Sequence, residues 1–105
     1  MLDIKTIKSL CSDDKIVLTT HVDDMMNKRD ILYSDMIIAI AGGEIIKQYE
    51  DDRPFPSVLI LGYTTDNRPL HIVVSVGDGV LWIITTYHPT LDIWETDYRT
   101  RKVVK

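Results

Sequence analysis

Between Gly43 and Pro89 the chain reads GEIIKQYEDDRPFPSVLILGYTTDNRPLHIVVSVGDGVLWIITTYHP, and this run constrains the fold more than any other. Stretches rich in Ile, Val, Leu, Thr and Tyr alternate with clusters of Gly, Pro, Asp and Asn, the pattern of strands punctuated by turns. Four strands are predicted, over Glu44 to Tyr49, Ser57 to Tyr63, Leu70 to Val76 and Val80 to Tyr87. The loop EDDRPFP between the first two carries two prolines, which cannot donate to a ladder, so it lies outside the sheet. Pro89 ends the last strand. Short turns at Thr64 to Arg68 and at Gly77-Asp78-Gly79 imply antiparallel pairing.

Helical signals precede this run. Asp3 can cap a short helix to Leu10 whose Ile4, Ile7 and Cys11 form one stripe. Ser12-Asp13-Asp14 is a break, and Lys15 to Thr20, KIVLTT, reads as a short strand. Val22, Met25, Met26 and Arg29 recur at helical spacing, which puts Arg29 at the end of a buried stripe. Ser34 is expected to cap a further helix through Ala41, ended by Gly42-Gly43. The fold class is therefore α+β, with N-terminal helices packed on a small antiparallel sheet in one domain of 105 residues.

His71 is set into an otherwise apolar strand. A two-residue turn at Asp66-Asn67 would place Gly62 opposite it and leave open space beside the ring. The next hairpin has two readings. A three-residue loop at Gly77–Gly79 sets Thr85 opposite His71 and Tyr87 on the same side; a two-residue Asp78-Gly79 turn sets Thr86 opposite and turns Tyr87 away. The first is preferred, because it groups Ile72, Val74 and Val76 with Val80, Trp82 and Ile84 under the helices.

Composition narrows the functional classes. The net charge of −4 opposes strong non-specific binding to phosphates, although it leaves room for a local basic groove. The one markedly basic segment is YRTRKVVK at the C-terminus. The single cysteine, Cys11, has no basic neighbours and reads as a small hydrophobe in a reducing compartment. No secretory signal is evident, and no apolar run approaches the ~20 residues that span a bilayer, so the cytoplasm is the expected location. Three scattered histidines, with no C-x-x-C or H-E-x-x-H, give no metal site. Asp51-Asp52 lacks the spacing of a calcium loop, and there is no phosphate-cradling glycine loop. No cofactor is expected.

Several fragments form an ordered set: T-H at Thr20-His21, R-D-I at Arg29–Ile31, G-E-I-I at Gly43–Ile46, D-D-R-P-F-P-S at Asp51–Ser57, L-G at Leu61-Gly62, R-P-L-H-I-V-V at Arg68–Val74, I-I-T-T-Y-H-P at Ile83–Pro89, then Trp94 and Arg101. In this set the chain resembles a bacterial family, domain-of-unknown-function family 4258, itself similar to RelE-like ribonuclease toxins. The resemblance implies a RelE-like domain and a metal-independent, mRNA-cleaving endoribonuclease of a toxin–antitoxin pair. Its partners would be RNA, including ribosome-bound mRNA, and a cognate antitoxin protein. Two departures stand out: Met25 replaces a basic residue of a pattern like H-x-x-x-R-M, and the net charge is acidic.

Metal-independent RNA cleavage needs a base for the 2′-hydroxyl, cations for the phosphorane and an acid for the leaving oxygen. His71 and His21 suit the proton roles, with an unperturbed pKa of ~6.5; as ordinary structure they would cap a strand carbonyl and a helix start. Arg29 suits the phosphate, or else a salt bridge. Tyr87 would position the phosphate or stack on a base, or else fill the sheet face. Arg68 could line the same groove, and Arg99 and Arg101 could steer RNA, unless all three are solvated charges. His88 reads as an exposed turn residue, and Trp82 and Trp94 as core or staple residues. The alternative to an enzyme is a non-catalytic protein-binding or regulatory module of the same fold; a small-ligand-binding domain is a third reading.

Overall fold

The computed structural model describes residues 2–103. Helix α1 (Ile4–Ser9) starts where the Asp3 carboxylate accepts from the Lys5 N–H. Strand β1 is only Ile16–Val17, shorter than KIVLTT suggested, because Thr19 turns to cap α2 (Thr20–Lys28) by accepting from the Val22 N–H. Helix α3 (Tyr33–Ala41) follows. Its N-cap is Leu32, which makes no side-chain hydrogen bond, so Ser34 is not the cap. Strands β2 (Glu44–Tyr49), β3 (Ser57–Tyr63), β4 (Pro69–Gly77) and β5 (Val80–Tyr87) complete the domain.

The sheet order is β1-β5-β4-β3-β2. β1 runs parallel to β5, so the sheet is mixed rather than antiparallel as expected. The class is α+β. Met26, Ala39 and Ile40 from the helices join Val58, Ile60, Ile72, Val74, Leu81 and Ile83 in one core on one face.

The registers differ from both readings of the sequence. Tyr63 pairs with Pro69 and Leu61 with His71, so Gly62 faces Leu70 instead of His71. The loop is longer than two residues: the Thr64 N–H bonds to Arg68 O, the Asn67 N–H to Thr64 O, and Asn67 takes φ 62°. In the next hairpin Gly77 pairs with Val80 around Asp78 (φ 57°) and Gly79 (φ 75°), both left-handed, as a two-residue type I′ turn requires. Ser75 therefore pairs with Trp82 and Val74 with Ile83, so Leu81 and Ile83 face the helices, not Val80, Trp82 and Ile84. A bulge then inserts one extra residue in β5 between Ile83 and Thr85. Beyond it Val73 pairs with Thr85, Ile72 with Thr86, and His71 with Tyr87. Neither Thr85 nor Thr86 faces His71; Tyr87 does.

A second bulge interrupts β2. Ile45 pairs with Ile60 but Lys47 pairs with Leu59, leaving Ile46 as the extra residue. Since side chains alternate along a strand, Lys47 and Tyr49 share the helix-free face with Leu59 and Ser57.

Gly62 is needed for a different reason from the one expected. A Cβ there would collide with the backbone of Ala39 in α3. Gly62→Ala should cost at least the upper part of the ~1–3 kcal/mol typical of overpacking. Urea unfolding checks this, and a loss indistinguishable from that of an exposed-site alanine would contradict the contact.

Candidate functional site

On the helix-free face, β4 presents His71 and β5 presents Tyr87 directly beside it. The chain after Pro89 folds back over this end of the sheet as a small hairpin. Trp94 pairs with Arg101, the Glu95 N–H bonds to Thr100 O at 2.8 Å and the Lys102 N–H to Ile93 O at 2.8 Å. Asp97 organises its turn by accepting from the Arg99 and Thr100 N–H groups and the Thr100 hydroxyl. Those bonds, Thr100 first, hold its carboxyl below the ordinary range. Tyr98 takes φ 57° in the turn.

This hairpin seals His71, which is 0% exposed. Trp94 meets its ring edge-on at 4.6 Å and Tyr87 at 5.2 Å. His71 Nε2 lies 2.6 Å from the Tyr98 carbonyl oxygen and Nδ1 lies 3.2 Å from Tyr87 Oη. A carbonyl can only accept, so Nε2 carries the proton; Nδ1 of the neutral ring then accepts from the Tyr87 hydroxyl. Burial pushes the His71 pKa down, partly opposed by the bond to Tyr98.

Tyr87 is the member of this pair that reaches solvent. A cleft of about 140 Å³ opens beside it, lined also by Lys47, Tyr49, Trp94, Arg99 and Arg101. Lys47 Nζ stands 5.3 Å from the centre of the Tyr49 ring. Arg99 pairs with Glu44, both about half exposed, so the ion pair is weak and exchangeable. Burial raises the Tyr87 pKa, and so does Tyr49, while Arg101 and Arg29 pull it back. The phenol is therefore protonated at neutral pH, within electrostatic reach of two guanidiniums.

The other candidates lie elsewhere. Arg29 ends α2 and donates to the Thr86 carbonyl at 2.8 Å, on the rim of β5 that two-residue β1 leaves uncovered. His21 is exposed and shares a separate hollow of about 270 Å³ with Asp24, Met25, Lys28 and Arg29. His21 and His71 line no common cavity and share no hydrogen bond among the described residues. Arg68 is exposed in the β3–β4 turn. His88 is half-buried, not exposed, with Nδ1 3.0 Å from Pro69 O. Burial also raises the pKa of Cys11, whose Sγ faces Ile37 O at 3.8 Å, which fits an inert packing role. Lys47 and Tyr49 were not singled out from the sequence. Their i, i+2 spacing was the available signal, but which face they take depends on the β2 bulge. Among the described residues no three His, Cys, Asp or Glu side chains gather to hold an ion, and no helix is long and apolar enough to cross a membrane.

An α+β domain with a cationic, aromatic cleft on its open sheet face is thus defined. Residues 18–88 match the family described as Domain of unknown function (DUF4258), and the chain belongs to that family. Neither a curated protein nor a solved structure matches it.

The buried neutral ring fixes a pH dependence. The folded pKa of His71 lies below the unfolded value, so stability is full above about pH 6.5 and falls as pH drops toward the folded pKa. Chemical unfolding of the wild type between pH 7 and pH 5 should show this decline, with a smaller slope in His71→Asn. Equal slopes would contradict a neutral buried ring.

Proposed function

We propose that this chain is a metal-independent endoribonuclease of the RelE-like toxin type, acting on RNA held in the cleft beside Tyr87. One observation carries the reading: Lys47, Arg99 and Arg101 converge on a phenol that is itself hydrogen-bonded to a buried neutral imidazole. Local cations of this kind bind phosphate whatever the overall charge. The exposed pair between Arg99 and Glu44 can open to let Arg99 turn to a phosphate.

In this reading the 2′-oxygen attacks the adjacent phosphorus and the bond to the 5′-oxygen breaks, giving a 2′,3′-cyclic phosphate and a 5′-hydroxyl. Tyr87 Oη takes the 2′-proton while passing its own to His71 Nδ1. The resulting imidazolium keeps its Nε2–H on the Tyr98 carbonyl. Arg101, Arg99 and Lys47 offset the charge that builds on the phosphorane. Water supplies the proton to the departing 5′-oxygen. His71 acts only through Tyr87, and His21 lies outside the chemistry. The implied biological setting is cytoplasmic mRNA, on or off the ribosome, with a cognate antitoxin as the protein that blocks the cleft.

The complete burial of His71 favours one competing reading, a module that binds RNA or protein without cutting. Tyr87→Phe separates the two, since it keeps the ring and removes the proton carrier. Cleavage of RNA by the purified protein, alone and with ribosomes, should fall about 100-fold or more. RNA affinity should hold in Tyr87→Phe and drop in Arg101→Ala. RNA binding without any cleavage by the wild type would leave the binding module standing.

A further inference from the structure

A second hollow lies on the same open face as the Tyr87 cleft and plays no part in the chemistry above. It measures about 530 Å³ and is lined by Asp52, Phe55, Ser57, Ser75, Asp78 and Trp82, with the half-exposed Ile84 at its edge. Ser57, Ser75 and Trp82 form one row across β3, β4 and β5, just as Leu61, His71 and Tyr87 form another. The rows are four residues apart along β4, about 13 Å. The terminal hairpin covers only the His71 row.

The hollow is built and rigid. The Trp82 indole N–H donates to Gly77 O at 3.0 Å, which fixes its plane. The Phe55 ring lies against the bare Cα of Gly77, in space that any Cβ would fill. Ser75 Oγ donates to Pro56 O at 2.7 Å, and Ser57 donates to the Asp52 carboxylate, which ties the 52–57 loop to the sheet. Asp52, Asp78 and Arg53 supply the charges of an opening whose walls also include Phe55, Trp82 and Ile84.

We infer that this hollow is a nucleobase subsite selecting guanine in a single strand whose scissile phosphate sits in the Tyr87 cleft. The inference rests on the RNA-cleaving reading given above. Two carboxylates against the single guanidinium of Arg53 leave the hollow net anionic, which disfavours phosphate and favours a base. Aromatic walls stack on any base, whereas acceptor-only carboxylates choose a base edge that carries donors. Guanine alone offers two adjacent donors, N1–H and the 2-amino group, to one carboxylate in a bidentate pair. Asp78 is placed for this: its backbone is set by the hairpin turn, its side chain is exposed on the rim, and Asp52 already accepts from Ser57.

The test uses non-cleavable 2′-O-methyl tetranucleotides with guanine, hypoxanthine or adenine at one position moved along the strand. Binding to the full chain is followed by the Trp82 indole N–H resonance and by the amides of Tyr87 and Arg101. At one position guanine should bind about tenfold tighter than hypoxanthine or adenine, with a shift of the Trp82 signal. Asp78→Asn, an exposed change that the left-handed turn tolerates, should remove that preference and leave adenine binding unchanged. Equal affinities with shifts only near Tyr87 and Arg101 would overturn the subsite and leave the RNA reading intact. No binding by any oligonucleotide would overturn both.

Discussion

Two single-residue insertions in the sheet decide what its open face displays. Side chains alternate strictly along a strand, so one extra residue moves everything beyond it to the other side. The insertion in β5 brings Tyr87 beside His71. The insertion at Ile46 brings Lys47 and Tyr49 to the same surface. Without the first, Tyr87 would point toward the helices, and His71 Nδ1 would lose its donor inside a sealed site, a cost of about 1–3 kcal/mol. Without the second, the cleft would lose a cation and an aromatic wall.

The sealed ring then links parts of the chain that are distant in sequence. His71 donates to the Tyr98 carbonyl and accepts from Tyr87, so its two nitrogens join the last strand to the terminal hairpin. Folding the hairpin down delivers Arg99 and Arg101 to the cleft. The same hairpin therefore supplies both the cationic lining of the cleft and the cover over the imidazole. A histidine that looked like a reagent in the sequence becomes the support of a tyrosine.

The limits of four strands were legible almost to the residue, because Gly, Pro, Asp and Asn mark each end. β2, β3 and β5 match the expected ranges, and β4 extends one residue further at each end. Pairing registers were not legible. They depend on a loop closed through Asn67 in a left-handed conformation and on a bulge that no residue type announces. Gly62 was noticed, but its partner proved to be the Ala39 backbone, a contact between elements distant along the chain. Tyr87, Arg99 and Arg101 were found as residue types and do meet in one cleft. The burial of His71 was hidden because its cover comes from Trp94 and Tyr98, in a segment without a periodic pattern. Helical spacing put Arg29 at the end of a buried stripe and the resemblance strengthened the reading of His21, but the helix that carries them opens onto a different hollow.

The brevity of β1 has a further consequence at the sheet's outer boundary. It pairs with only Leu81 and Trp82, so the remainder of β5 ends in backbone acceptors that a foreign strand could adopt. Arg29 occupies one of them, the Thr86 carbonyl, and sets a bulky charged fork where an intruding chain would have to lie. The guanidinium thus satisfies a strand-edge carbonyl that β1 is too short to reach, and ties the end of α2 to the sheet.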